Sequence, residues 1–191
     1  MLNKAVRMYG QNDLRLDTFE LPEIKDDEIL VKVISDSICM SSYKAALQGS
    51  NHKRVPDNIS EHPAIIGHEF CGLIEKVGAK WANKFTVGEK FTIQPAISYK
   101  GTLMTPGYAF EYCGGDSQHA ILLPEIMEQD CLLDYKAKEF FYGSLSEPLS
   151  CIIGTFHAQY HTKPGCYVHE MGIREGGNMA ILAGAGPMGL G

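Results

Sequence analysis

The sequence predicts a mostly β domain with helices on its C-terminal flank, followed by the first strand of a parallel α/β unit. Three observations carry that expectation. Short runs of Val, Ile, Leu and Phe recur along the first two-thirds of the chain, broken by Gly, Pro and Asn-Asp turn signals. After about residue 136 the apolar residues change to helical spacing. Near the end a short apolar run, Met179-Ala180-Ile181-Leu182-Ala183, leads straight into a glycine-rich turn.

Residues 4–9, 14–21, 28–34 and 67–77 read as strands. Residues 118–123 read as another, stopped by Pro124, and in residues 86–93 a turn at Gly88 precedes one more. Strands this short and this closely spaced suggest a small barrel or sandwich rather than alternating strands and helices. Residues 137–145 read as a helix. Pro148 either opens a second helix or kinks a continuous one, which runs from residue 149 to about 160. Residues 161–177 form a polar, Gly-rich connection. His157 and His161 stand one helical turn apart at its start, with His169 further on, and read as a solvated helix end and loop rather than a metal tract. The expected organisation is a domain over residues 1–160, a connection over 161–177, and the start of a dinucleotide-binding unit over 178–191.

The 191 residues are 45% hydrophobic and 21% charged, which excludes disorder and a fibrous repeat. No apolar run approaches the roughly 18–20 residues that span a bilayer, and Met1-Leu2-Asn3-Lys4 opens no signal peptide. A cytoplasmic protein without membrane contact is expected. Seventeen basic against 23 acidic residues, a net charge of −6, argue against a nucleic-acid surface. The six cysteines lie at 39, 71, 113, 131, 151 and 166, none within three residues of another. That spacing offers no C-x-x-C pair and no zinc ribbon, and no disulfide framework is expected.

Two constellations could carry chemistry. Gly184-Ala185-Gly186-Pro187-Met188-Gly189 has the G-x-G-x-x-G spacing that lets a backbone approach a pyrophosphate, and it follows a strand-like run. Gly184, Gly186 and Gly189 are thus the candidate cofactor-binding residues. The helix that would hold the phosphates and the acid that would read the ribose are expected beyond Gly191, so NAD and NADP are not distinguished. The second constellation is Gly67-His68-Glu69 with Cys39 upstream and Glu147 downstream. Catalytic zinc takes three protein ligands from Cys, His and carboxylate and keeps one position open. Each residue also has an ordinary explanation: a buried thiol, a hydrogen-bonded turn histidine, an acid at a helix start.

The ordered set of Cys39, Gly67-His68-Glu69, Val87-Gly88-Glu89-Lys90, Gly114-Gly115, Glu147-Pro148-Leu149-Ser150 and the terminal glycine fingerprint resembles the zinc-dependent medium-chain dehydrogenases, the sorbitol-dehydrogenase-like polyol branch in particular. The resemblance implies a GroES-like catalytic domain followed by a Rossmann domain. It implies one catalytic zinc held by Cys39, His68 and Glu147, with Cys151, one helical turn from Glu147, as the other candidate ligand. Ser41 then relays the substrate proton, and Glu69 supports the site or joins the metal transiently. Two departures stand out. Members commonly read Cys-Gly-Ser-Asp at the first ligand, whereas Cys39-Met40-Ser41-Ser42 lacks the carboxylate that orients the imidazole, which Ser42 replaces only in part. Between residues 94 and 115 only Cys113 occurs, so no four-thiolate structural site can form and a single metal is expected.

The function so implied is hydride transfer between a nicotinamide cofactor and a polyol or ketose, in a homo-oligomer when complete. Lys44, five residues after Cys39, and the cluster His52-Lys53-Arg54 stand out in an acidic chain. Lys44 and Arg54 are candidates to hold a phosphorylated substrate of the sorbose 1-phosphate or sorbitol 6-phosphate type through charge-assisted contacts. An ordinary solvated loop is the alternative. At the level of function, the alternatives are a zinc-free reductase of the quinone-reductase type and a fragment that binds without catalysing. The 191 residues alone are expected to be inactive.

Overall fold

The protein is described by a computed structural model over residues 1–161, 163–166 and 170–191. Thr162 and residues 167–169, which include His169 of the expected connection, lie outside the described residues. Two compact units form, Met1–Leu145 and Ser146–Gly191.

The first unit is built on two antiparallel sheets. Strand β1 (Leu2–Gly10) is central to one, between β2 (Asp13–Glu20) and the two-residue β4 (Ala64–Ile65). The other has β3 (Ile29–Asp36), β5 (Phe70–Val77), β6 (Lys90–Ile93), β7 (His119–Leu122) and β8 (Leu132–Asp134) in the order β7-β3-β5-β6-β8. The expected strands form, shortened at several ends. Residues 67–69 stay outside β5 as the loop that carries His68.

The larger core collects Ile29, Val31, Phe70, Ile74, Phe91, Ile93, Ala120 and Leu122 from alternate positions of the five-stranded sheet. It is closed by Ile126 and Met127 of a short helix α2 (Pro124–Glu128). A second cluster matters more for function. Met8, Ala45, Val55, Ile59, Ala64, Ile66, Tyr108 and Ala109 pack together. They bind helix α1 (Met40–Gln48) and the loops around residues 52–66 and 94–115 onto the smaller sheet. Neither α1 nor α2 is visible as a periodic run, because each is short and contributes only two buried side chains.

The helix expected over residues 137–145 is confined to α3 (Phe140–Ser144). Leu145 interrupts it, and α4 (Ser146–Ala158) follows in the second unit. Pro148 thus lies in the first turn of a new helix, where its missing N–H would have no intrahelical partner anyway. The connection contains a small ladder, β9 (Tyr160–His161) against β10 (Glu170–Met171).

Residues 179–183 form no strand among the described residues, contrary to the sequence expectation. A buried parallel strand depends on neighbours that hydrogen-bond to it and helices that cover it, and none pairs with this segment. Leu182 is 94% exposed as a result. The glycine-rich turn does form. Gly186 precedes a helical turn, α5 (Pro187–Leu190), and a Cβ on Gly189 would stand 2.5 Å from Gly184 Cα. No described helix is long and apolar enough to cross a membrane.

Candidate metal centre

Strand pairing explains how Cys39 and His68 meet across 28 intervening residues. β3 and β5 run antiparallel, with Asp36 opposite Phe70. The chain leaving β3 therefore passes the chain entering β5. Ser37 N–H donates to Glu69 O at 3.3 Å, and Glu69 N–H donates to Asp36 Oδ1 at 3.0 Å. Cys39 comes two residues after this clamp and is the N-cap of α1, in extended conformation.

Gly67 makes the approach possible. Its φ is +87°, and a Cβ there would stand 2.0 Å from Asp36 Oδ2 and 2.6 Å from the Asp116 backbone nitrogen. Only glycine fits that conformation and that space. Asp36 Oδ2 is buried without a hydrogen-bond partner. Burial and the neighbouring Asp116 charge push the Asp36 carboxyl up to about 8, while the Glu69 N–H works in the opposite direction. Burial raises Asp116 as well. A mainly protonated Asp36 at neutral pH therefore underlies the site, adding little negative charge there.

Cys39, His68 and Glu69 offer ligand atoms that all lie within 4.8 Å of one another. His68 and Glu69 are each 5% exposed, and Cys39 is partly buried. His68 Nε2 lies 3.8 Å from Glu69 Oε1 and 3.4 Å from Ser41 Oγ. On the other side of the ring Ser42 Oγ lies 3.2 Å from Nδ1. The Ser42 hydroxyl is thus within hydrogen-bond reach of the ring nitrogen turned away from the cluster. Ser41 Oγ also donates to Cys39 Sγ at 2.9 Å. Glu69 accepts a hydrogen bond from the Ser37 hydroxyl, whose oxygen also lies 3.0 Å from Ser144 O.

The electrostatics suit a cation. Burial lowers the pKa of His68, partly offset by the Glu69 charge, so its imidazole is predominantly neutral at pH 7 and can act as a ligand. Burial raises the Cys39 thiol, and the hydrogen bonds from Ser41 oppose that shift. Thiol, imidazole and carboxylate in a water-poor corner form a donor set of the kind that binds zinc. A cleft of about 260 Å³, lined by Leu14, Ile38, Cys39, Tyr43 and Ile66 among others, opens beside the thiol.

The structure brings together Cys39, His68, Glu69 and Ser41 of the sequence-derived set. Glu147 belongs to the second unit, in the first turn of α4, where Cys151 Sγ lies 3.4 Å from its Oε1. Gly184, Gly186 and Gly189 also lie in that unit. Lys44 is exposed on α1, and Arg54 lies in the loop after it with Nη1 3.5 Å from Leu103 O.

Sequence reasoning missed Tyr108. Its hydroxyl donates to Ser41 Oγ at 2.7 Å and stands 3.4 Å from His68 Nε2. It also missed His52 as a site residue, although the ring stacks on Tyr108 at 5.7 Å. No spacing rule marks a lone tyrosine in a loop of this kind. The one available signal was the absence of metal-binding cysteines from residues 94–115, which left that loop free for another task.

Comparisons with known proteins identify the family and the fold. The alcohol dehydrogenase GroES-like domain matches residues 25–127. L-sorbose 1-phosphate reductase of Klebsiella pneumoniae is 52% identical over 186 residues, covering 97% of this chain and 45% of that protein. Mannitol-1-phosphate 5-dehydrogenase of Aliivibrio fischeri is 50% identical over 187 residues, covering 98% and 44%. The chain thus spans a little under half the length of these curated relatives. Among solved structures, 2R,3R-butanediol dehydrogenase from Bacillus subtilis superposes with a TM-score of 0.65 at 23% identity, covering 79% of this chain and 46% of that one, and shares the fold. With the domain match extending over more than half of its residues and enclosing both Cys39 and His68, the chain belongs to the alcohol dehydrogenase GroES-like domain family.

Proposed function

We propose that this chain carries the metal- and substrate-binding part of a cytoplasmic, zinc-dependent oxidoreductase that transfers a hydride between NAD or NADP and a polyol or ketose. The observation that carries the reading is the convergence of Cys39, His68 and Glu69 within 4.8 Å, with the Ser41 hydroxyl against it. Two relatives about half identical to the chain are named for sugar-phosphate oxidoreduction, which supports a phosphorylated substrate.

Cys39 and His68 would hold zinc from the first unit, with Glu69 beside them. Glu147 is kept as a further ligand on the strength of its sequence pattern, with Cys151 as the alternative. Bound zinc would act as a Lewis acid on the substrate oxygen, and the nicotinamide would exchange the hydride. The chain's own residues do the rest. Ser42 accepts the Nδ1 proton of His68 and so leaves the Nε2 lone pair facing the cluster. Ser41 holds at Oγ the proton that the substrate oxygen gains or loses. Gly184, Gly186 and Gly189 let the backbone approach the cofactor pyrophosphate. Lys44 and Arg54 attract the substrate phosphate. The complete enzyme is proposed to be a homo-oligomer.

Elemental analysis of the folded full-length protein should find close to one zinc per chain. Cys39→Ser and His68→Ala should each abolish it, and Glu147→Ala should weaken it more than Cys151→Ala. Unchanged metal in both Cys39→Ser and His68→Ala would refute the site and favour a zinc-free reductase. Arg54→Ala should lower kcat/KM for a ketohexose phosphate by roughly 1.5–3 kcal/mol relative to the free sugar. Equal losses on both substrates would leave a plain polyol dehydrogenase.

A further inference from the structure

Tyr108 lies where the metal cluster meets the basic residues. Its loop is pressed against the backbone of Gly67 and His68. Gly107 has a φ of +79°, and a Cβ there would stand 2.3 Å from Gly67 O and 2.8 Å from His68 Cβ. Gly107 N–H donates to Cys113 O at 3.1 Å, and Tyr108 N–H to Thr105 O at 3.3 Å. The Tyr108 residue is 4% exposed, so its ring is fixed by packing.

The hydroxyl and the ring face different tasks. A serine hydroxyl has one proton to give and two lone pairs. Because Tyr108 donates to Ser41 Oγ, the proton of Ser41 is free to point at Cys39 Sγ, 2.9 Å away. The ring lies 5.0 Å from the His68 ring, tilted by 40°. It also stacks on His52 at 5.7 Å with an interplanar angle of 9°, and the Arg54 guanidinium carbon lies 5.8 Å from its centroid. His52 Nδ1 accepts the Arg54 backbone N–H at 3.3 Å, which leaves Nε2 as the nitrogen bearing a proton. Burial and the charges of Arg54, Lys53 and Lys44 lower the pKa of His52, which favours its neutral form as an N–H donor.

We propose that Tyr108 is a positioning residue joining the two ends of the site. Its hydroxyl aims Ser41 at the metal cluster, and its ring carries His52 and Arg54 as the wall of an anion subsite for the phosphate of a phosphorylated ketose or polyol. The proposal rests on the functional reading above. It adds two residues and a division of labour within one side chain: the hydroxyl serves the reacting end of the substrate, the ring its charged end.

The test uses the full-length protein loaded with zinc and two substitutions. Tyr108→Phe keeps the ring and should lower kcat about tenfold, the size of one ordinary hydrogen bond, leaving zinc content and KM unchanged. Tyr108→Leu should lower kcat similarly and also raise KM for a ketohexose phosphate about tenfold, with no such rise for the free ketohexose. A turnover-independent readout follows inorganic phosphate binding to the metal-free protein through the ring-proton NMR signals of His52. Tyr108→Leu should weaken that binding about tenfold, whereas Tyr108→Phe should not. His52→Ala should reproduce the rise in KM for the ketohexose phosphate with no such rise for the free ketohexose, and this kinetic comparison replaces Tyr108→Leu if that variant does not fold. Unchanged kcat in Tyr108→Phe, equal KM changes on both substrates, or His52 signals indifferent to phosphate would overturn the proposal. Absence of zinc-dependent turnover in the parent protein would instead overturn the functional reading, and the phosphate titration would still decide the subsite.

Discussion

Replacing Asp36 by Asn should remove a pH-dependent loss of stability that the architecture of the site builds in. Asp36 Oδ2 is buried between Gly67 and Gly115, and a Cβ on either glycine would stand 2.2 Å or less from it. Burial and the Asp116 charge raise the carboxyl from 3.8 to about 8. An unfolded aspartate releases its proton near pH 3.9. Between these limits the folded chain holds a proton that the unfolded chain has lost, so stability falls as pH rises. The slope for one proton is about 1.4 kcal/mol per pH unit. From pH 5 to pH 7 Asp36 should therefore remove roughly 3 kcal/mol. His68 and His52 act with the opposite sign. Their lowered pKa values mean that the unfolded chain binds protons more readily at acid pH, so their contribution rises with pH towards about 6.5. The difference between parent and Asp36→Asn reports on Asp36 together with its neighbour Asp116, because the histidines are common to both. Urea unfolding of the metal-free protein at pH 5, 6 and 7 measures it. Asn keeps the acceptor that Glu69 N–H requires, so the variant should match the parent near pH 5 and exceed it increasingly above. Parallel stability curves for the two proteins would refute a protonated Asp36 beneath the site.

Other substitutions probe the same corner. Gly67→Ala combines a left-handed backbone with a Cβ 2.0 Å from a buried carboxyl oxygen. It should lose more than about 3 kcal/mol in urea unfolding; an unchanged midpoint would mean that the backbone beneath His68 can relax. Ser42→Asp places a carboxylate opposite His68 Nδ1, and chelator competition should show zinc bound about tenfold more tightly. Ser42→Ala should weaken zinc by a similar factor, and identical affinity in both variants would deny Ser42 an orienting role.

The sequence alone determined the local features. Alternating apolar runs and turn residues are properties of a few neighbouring positions, and the longer strands of both sheets were legible from them, as were the helical stretches around residues 140 and 150, whereas the short edge strands β4 and β8 were not. The site candidates Cys39, Ser41, His68, Glu69 and Glu147 came from the resemblance that the ordered motifs carry to the zinc-dependent medium-chain dehydrogenases, since each residue taken singly has an ordinary explanation. Tertiary structure decided what depends on contacts between distant segments. The antiparallel register of β3 and β5 set Cys39 beside His68, and the second core cluster brought Tyr108 over Ser41. The strand expected over residues 179–183 is the converse case: its apolar pattern is real, but a parallel strand exists only through partners that pair with it. Asp36 shows the same division most plainly. Nothing in its neighbours along the chain distinguishes it from a surface aspartate, and its raised pKa arises only because Gly67, Gly115 and Asp116 close over it from elsewhere in the fold. Desolvation is a property of the assembled surroundings, so it has no signature in the order of residues.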